Sequence, residues 1–65
     1  MELSYEEYLT YQTKNVILML NNQDEKQGEV QGFRQDEKGE IKCLLIKEAE
    51  TIAVELKDVS KIILS

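Results

Sequence analysis

Histidine, proline and tryptophan are absent from this chain of 65 residues, which holds one cysteine and three glycines. Without histidine the commonest general base is missing. Cys43 therefore has no imidazole to activate it, and no histidine-based metal site can form. A single cysteine also rules out an internal disulfide. Cys43 lies inside an apolar stretch, so it is expected to be an inert core thiol in a reducing compartment. Without proline, nothing marks a linker or a proline-rich docking segment. Residues 1–65 read as one domain.

Long apolar runs are missing too. The longest is Val16 to Leu20, far short of the ~20 residues a spanning helix needs. The opening MELSYEEY is acidic and lacks the basic start and apolar centre of a signal peptide. These features predict a cytoplasmic protein with no membrane association. Nucleotide-binding glycine patterns do not occur, and each glycine has a turn or bend to explain it. The loops at Asp24 and Asp36 do not follow a calcium-binding pattern. No enzymatic activity, metal or other cofactor is expected.

Charge is what the chain has in abundance. Thirteen acidic residues against eight basic ones give a formal net charge of −5. Clustered Lys and Arg, the electrostatic footprint of nucleic-acid binding, are not seen. An acidic balance favours solubility and attraction to basic surfaces. The acids come in pairs: Glu6 and Glu7, Asp24 and Glu25, Asp36 and Glu37. The first pair falls in a helical turn and the others in polar turns, where they can be presented to a partner. These six are the candidate partner-binding residues. A short chain buries little of its surface, so self-association is an open option.

The hydrophobic pattern predicts one short helix and five strands. Ser4 as N-cap with Glu7 three residues on makes a capping box, and Leu3 with Tyr8 has the spacing of a hydrophobic staple. A helix is expected over 4–12, with Tyr5, Tyr8, Leu9 and Gln12 on one face. Tyr5 and Tyr8 are expected to dock it, leaving Tyr11 exposed. Strands are expected at 15–21, 28–35, 40–47, 51–56 and 61–64. In the third, Ile41, Cys43 and Leu45 share one face, opposite Leu44 and Ile46. In the fourth, Ile52, Val54 and Leu56 point inward. Gly32 lies between Val30 and Phe33 of opposite parity, which suits a bulge or sharp bend. Lys57 to Ser60 suits a single 3₁₀ turn. The fold class is mostly β: a short N-terminal helix, then a strongly bent, five-stranded antiparallel sheet curled into a small barrel.

The order of elements resembles a known architecture. VILMLNNQDEKQGEVQGF (16–33) and IAVELKDVSKIIL (52–64) resemble the two halves of an SH3/Sm-like barrel. SYEEYLTYQTKNVILML resembles the opening of Rof, the Rho-binding antiterminator family. ETIAVELKDVSKI resembles its closing pattern, and FRQDEKGEIKCLLI its longer connection between the second and third strands. That resemblance implies a small acidic bacterial protein that binds the terminator Rho, blocks its access to RNA and so opposes transcription termination. More distantly, the helix-then-barrel order is similar to Hfq, the ring-forming RNA chaperone family. That resemblance implies an alternative: an RNA-binding homo-oligomeric ring in which Tyr11, Lys14, Arg34, Lys57 and Lys61 converge across subunit boundaries.

Overall fold

The computed structural model describes all 65 residues. Helix α1 (Tyr5–Tyr11) leads into β1 (Asn15–Leu20), β2 (Glu25–Gln35), β3 (Ile41–Lys47) and β4 (Thr51–Glu55). A 3₁₀ turn at Leu56–Asp58 then precedes β5 (Val59–Leu64). All five strands form one sheet in the order β4-β3-β2-β1-β5, every neighbour antiparallel. The expected helix, strand number and 3₁₀ turn are present. Two boundaries move by more than one residue: β2 begins at Glu25 rather than 28, and β5 begins at Val59 rather than 61. The sheet is not closed, because β4 and β5 are its two edges and do not pair with each other.

The core lies inside the bend of this sheet. Val16 and Leu18 of β1, Val30 of the central β2, Ile41, Leu44 and Ile46 of β3, and Val54 of β4 all face it. Leu56 and Val59 close the 3₁₀ corner, and Tyr8 of the helix plugs one end. No buried side-chain polar atom lacks a partner. Burying these apolar groups is the main favourable term of folding.

Two bulges explain where facing expectations fail. The β2–β3 register passes from Val30↔Ile46 to Gly32↔Leu45, leaving Gln31 extra on β2. It then passes from Arg34↔Cys43 to Gln35↔Ile41, leaving Lys42 extra on β3. An extra residue reverses the alternation of side chains beyond it. Ile41 therefore shares the core with Leu44 and Ile46. Cys43 and Leu45 are only half-buried, on the other side of β3. Cys43 is thus not the core thiol expected.

The helix is also turned from its expected setting. Thr13 takes a left-handed φ of 62°, and its N–H donates to Val30 O at 3.0 Å while Val30 N–H donates to Lys14 O at 2.9 Å. This clip to β2 fixes the rotation of α1. Tyr8 is buried and Tyr11 half-buried against the core. Tyr5 and Leu9, placed on the docking face by spacing alone, are 55% and 44% exposed. Tyr8 meets the Phe33 ring edge-on at 4.6 Å between centroids, and Tyr5 stacks on Tyr8 at 6.2 Å.

The bend needs glycine at one position above all. A β-carbon on Gly28 would lie 2.7 Å from Lys47 O and 2.9 Å from Lys47 C, both backbone atoms that cannot move aside. Gly32, the expected bend glycine, has only the Leu45 side chain nearby, at 3.7 Å. Gly28→Ala is expected to lower stability by ~1–3 kcal/mol, as overpacking does. Gly32→Ala should stay within ~0.5 kcal/mol of the parent. Urea denaturation midpoints of the two variants check this, and equal losses would contradict it.

Candidate functional site

The six candidate acids divide into those with a structural task and those without. Ser4 Oγ accepts from Glu7 N–H at 3.1 Å, and Glu7 Oε1 accepts from Ser4 N–H at 3.0 Å. The expected capping box is therefore formed. The Ser4 backbone N–H, and then the Ser4 hydroxyl, hold the Glu7 carboxyl below its ordinary pKa. Glu6 beside it is exposed.

Asp36 organises the β2–β3 turn. Its Oδ1 accepts from Lys38 N–H at 2.9 Å and from Glu40 N–H at 3.0 Å, while Gly39 supplies a φ of 83°. The Glu40 N–H is the largest influence lowering the Asp36 pKa, with Lys38 N–H and the Lys42 ammonium adding to it against partial desolvation. Lys42 spans Glu40 at 3.0 Å and Asp36 at 3.8 Å, and its own pKa is raised chiefly by Glu40. Glu37 at the tip is exposed. In the β1–β2 turn, Asp24 Oδ2 accepts from Asn22 Nδ2 at 3.1 Å. Glu25 opens β2 opposite Met19 and is exposed.

These acids do not make a single patch. Asp24 and Glu25 stand at the start of β2, and Asp36 and Glu37 at its end. Ten residues, Lys26 to Gln35, separate the two pairs, while the whole molecule is 29 Å in its longest dimension. Only Asp36 of the six is ion-paired, and Glu6, Glu25 and Glu37 are the exposed members whose carboxylates have no hydrogen-bond partner either.

The residues of the RNA-binding alternative are scattered as well. Tyr11 packs against the core instead of standing free. Lys14 precedes the start of β1, whereas Lys61 lies opposite Met19 near its other end. Arg34 sits opposite Cys43 at the far part of β2. Lys57 in the 3₁₀ turn is held by Glu55 at 3.6 Å.

Two grooves cross the surface. One, of about 660 Å³, runs between the N-terminal segment and the 3₁₀ corner, past Leu3, Tyr5, Ile41 and Leu56. The other, of about 480 Å³, lies between the first residues of β2 and the β3–β4 turn. It brings Glu48 and Glu50 to the same depression as Glu25. Glu48 and Glu50 escaped notice as candidates because only the long-range register Glu29↔Lys47 carries them to β2. Their spacing on either side of a tight turn was the one local signal. Nowhere do three acidic or sulfur side chains converge in a metal-holding group.

Ion pairing leaves the acidity uncancelled. Among thirteen acidic residues only Asp36, Glu40 and Glu55 are paired with a lysine, and every pair is solvent-exposed. Such pairs add little to stability. No protein-family model matches the chain, and no curated protein matches it.

The lowered pKa values of Glu7 and Asp36 set a pH dependence. A carboxyl whose folded pKa is depressed contributes stability that is present above its unfolded pKa. That contribution is lost as pH falls through the folded value. Stability should therefore drop between pH ~7 and pH ~3, and the drop should shrink in Glu7→Gln and Asp36→Asn. Chemical denaturation of parent and variants at the two pH values checks this. An unchanged drop in both variants would show that these carboxylates are not its source.

Proposed function

We propose that this chain is a small acidic protein-binding module on a strongly bent, SH3/Sm-like sheet. Its partner is a protein with a basic face, such as a Rho-type transcription terminator, whose RNA-binding surface it masks. The observation that supports this most directly is the uncancelled acidity. Glutamates stand free around the molecule, while the basic residues are dispersed and two of them, Lys42 and Lys57, are held by acids. A surface of one sign steers an oppositely charged partner and fixes its orientation. The reading sets the protein in the bacterial cytoplasm, where the lone Cys43 stays reduced.

The charge mechanism makes a definite demand. In an affinity pull-down from bacterial lysate, a protein partner should be retained after nuclease treatment and released as salt rises. Combining Glu6→Lys, Glu25→Lys and Glu37→Lys should weaken retention at least tenfold at low salt. A partner that survives all three reversals would refute the mechanism. A partner lost on nuclease treatment would point to RNA.

One observation favours the second reading, a homo-oligomeric RNA-binding ring. Both edges of the open sheet end their core side in an exposed aliphatic residue. These are Ile52 on β4, opposite Ile46, at 40%, and Leu64 on β5, opposite Val16, at 46%. Unpaired edges with apolar residues invite strand pairing between chains. Sedimentation across a range of concentrations distinguishes the readings. The acidic module sediments as a monomer; a ring that persists on dilution and binds RNA would replace it.

A further inference from the structure

The exposure of Ile52 is at odds with its position. It lies on the core side of β4, opposite Ile46, which is 1% exposed. The next residues on that side, Val54 and Leu56, are 8% and 2% exposed, yet Ile52 is 40% exposed. The cause is the unclosed sheet. Helix α1 covers the end marked by Phe33, where Tyr8 and Tyr5 pack. Nothing covers the opposite end, beside the β3–β4 turn. There Ile46 and Ile52 form the floor of the smaller groove, and Glu25, Glu48 and Glu50 stand along its walls.

None of those three glutamates makes an ion pair. The one cation on the rim is Lys26. An apolar floor alone would accept any aliphatic side chain. Walls of unpaired carboxylates discriminate: they repel an acidic segment and favour one that carries cations on either side of the apolar residue. The groove's volume of about 480 Å³ falls within the ~300–1,000 Å³ of ligand-binding clefts. Because the carboxylates are spread along the walls and do not converge, the arrangement suits a chain segment better than a bound metal ion.

We infer that this groove is where the basic partner docks, and that it takes a short segment with one aliphatic side chain flanked by lysine or arginine. The inference rests on the acidic-module reading and adds to it a location and a recognition pattern. The aliphatic residue covers Ile52, completing the core at its open end, and the flanking cations meet Glu25, Glu48 and Glu50. Arginine suits this position well, because its guanidinium pairs with carboxylates in a planar, two-pronged geometry.

The test uses the full ¹⁵N-labelled chain and a synthetic peptide with a central leucine flanked on both sides by arginine and lysine. Titration should shift the amide signals of Gln27, Ala49 and Ile52. Affinity should fall about tenfold in Ile52→Thr and in the Glu48→Gln, Glu50→Gln double variant. Glu2→Gln should leave it unchanged. A control peptide with serine for leucine should bind more weakly to the parent chain. Equal binding of the serine peptide would show that the apolar floor is unused and would overturn the inference. Salt-sensitive shifts confined to 6–9 or 36–39 would overturn the groove but leave the acidic module standing. Absence of any salt-sensitive binding would remove both. Self-association of the parent chain that Ile52→Thr abolishes would assign the exposed isoleucine to a second copy and overturn the inference in favour of the ring.

Discussion

At Gly28 the chain crosses itself more closely than any side chain allows. The β2 backbone there lies against the Lys47 carbonyl of β3, and a β-carbon would fall 2.7 Å from it. That contact holds β2 close against β3. An eleven-residue strand that stayed flat would hold its two flanking hairpins apart. Twisted by the bulge at Gln31, it brings the apolar faces of both hairpins onto one another. The core then needs only Tyr8 at one end. The groove at the other end is the part of the bend that no element fills.

What could be read in advance was local. Ser4 and Glu7 announced the helix start, and both hydrogen bonds are made, because a capping box involves residues three apart. Strand number followed from apolar runs and polar turns for the same reason. What could not be read depended on distant partners. The facing of Ile41 and Cys43 turns on the bulge at Lys42, which only the pairing with β2 reveals. Tyr11 packs against the core, and Tyr5 stays largely exposed over Tyr8 and Phe33, because the Thr13–Val30 clip sets the helix rotation. A two-turn helix carries too few residues for its periodicity to decide that. The paired acids were visible as pairs, but adjacency in sequence says little about who shares a surface. Glu25 lies nearer in effect to Glu48 and Glu50 than to Asp36 and Glu37, at the other end of its own strand.

The paired carboxylates divide into two sets in this molecule. Glu7 and Asp36 terminate backbone hydrogen-bonding patterns, so they are committed to the fold. Glu6, Glu25 and Glu37, their neighbours in sequence, have no such commitment. In each pair one acid anchors the local turn or stands beside it, and the other faces water. A surface built this way can hold its charge in defined positions without long side-chain networks.

The position of β1, between β2 and the edge strand β5, also governs how the chain reaches this state. β1 pairs with β2 across a short turn, but its other edge waits for β5, whose register joins Val16 to Leu64. β1 is therefore half-zipped until β5 arrives. Contacts so distant in sequence slow folding, because the intervening loop must be ordered before they form. During synthesis the β1 edge stays open until residues 59–64 have left the ribosome. The apolar pair Ile62 and Ile63 then seals it, opposite Leu18 and Ile17.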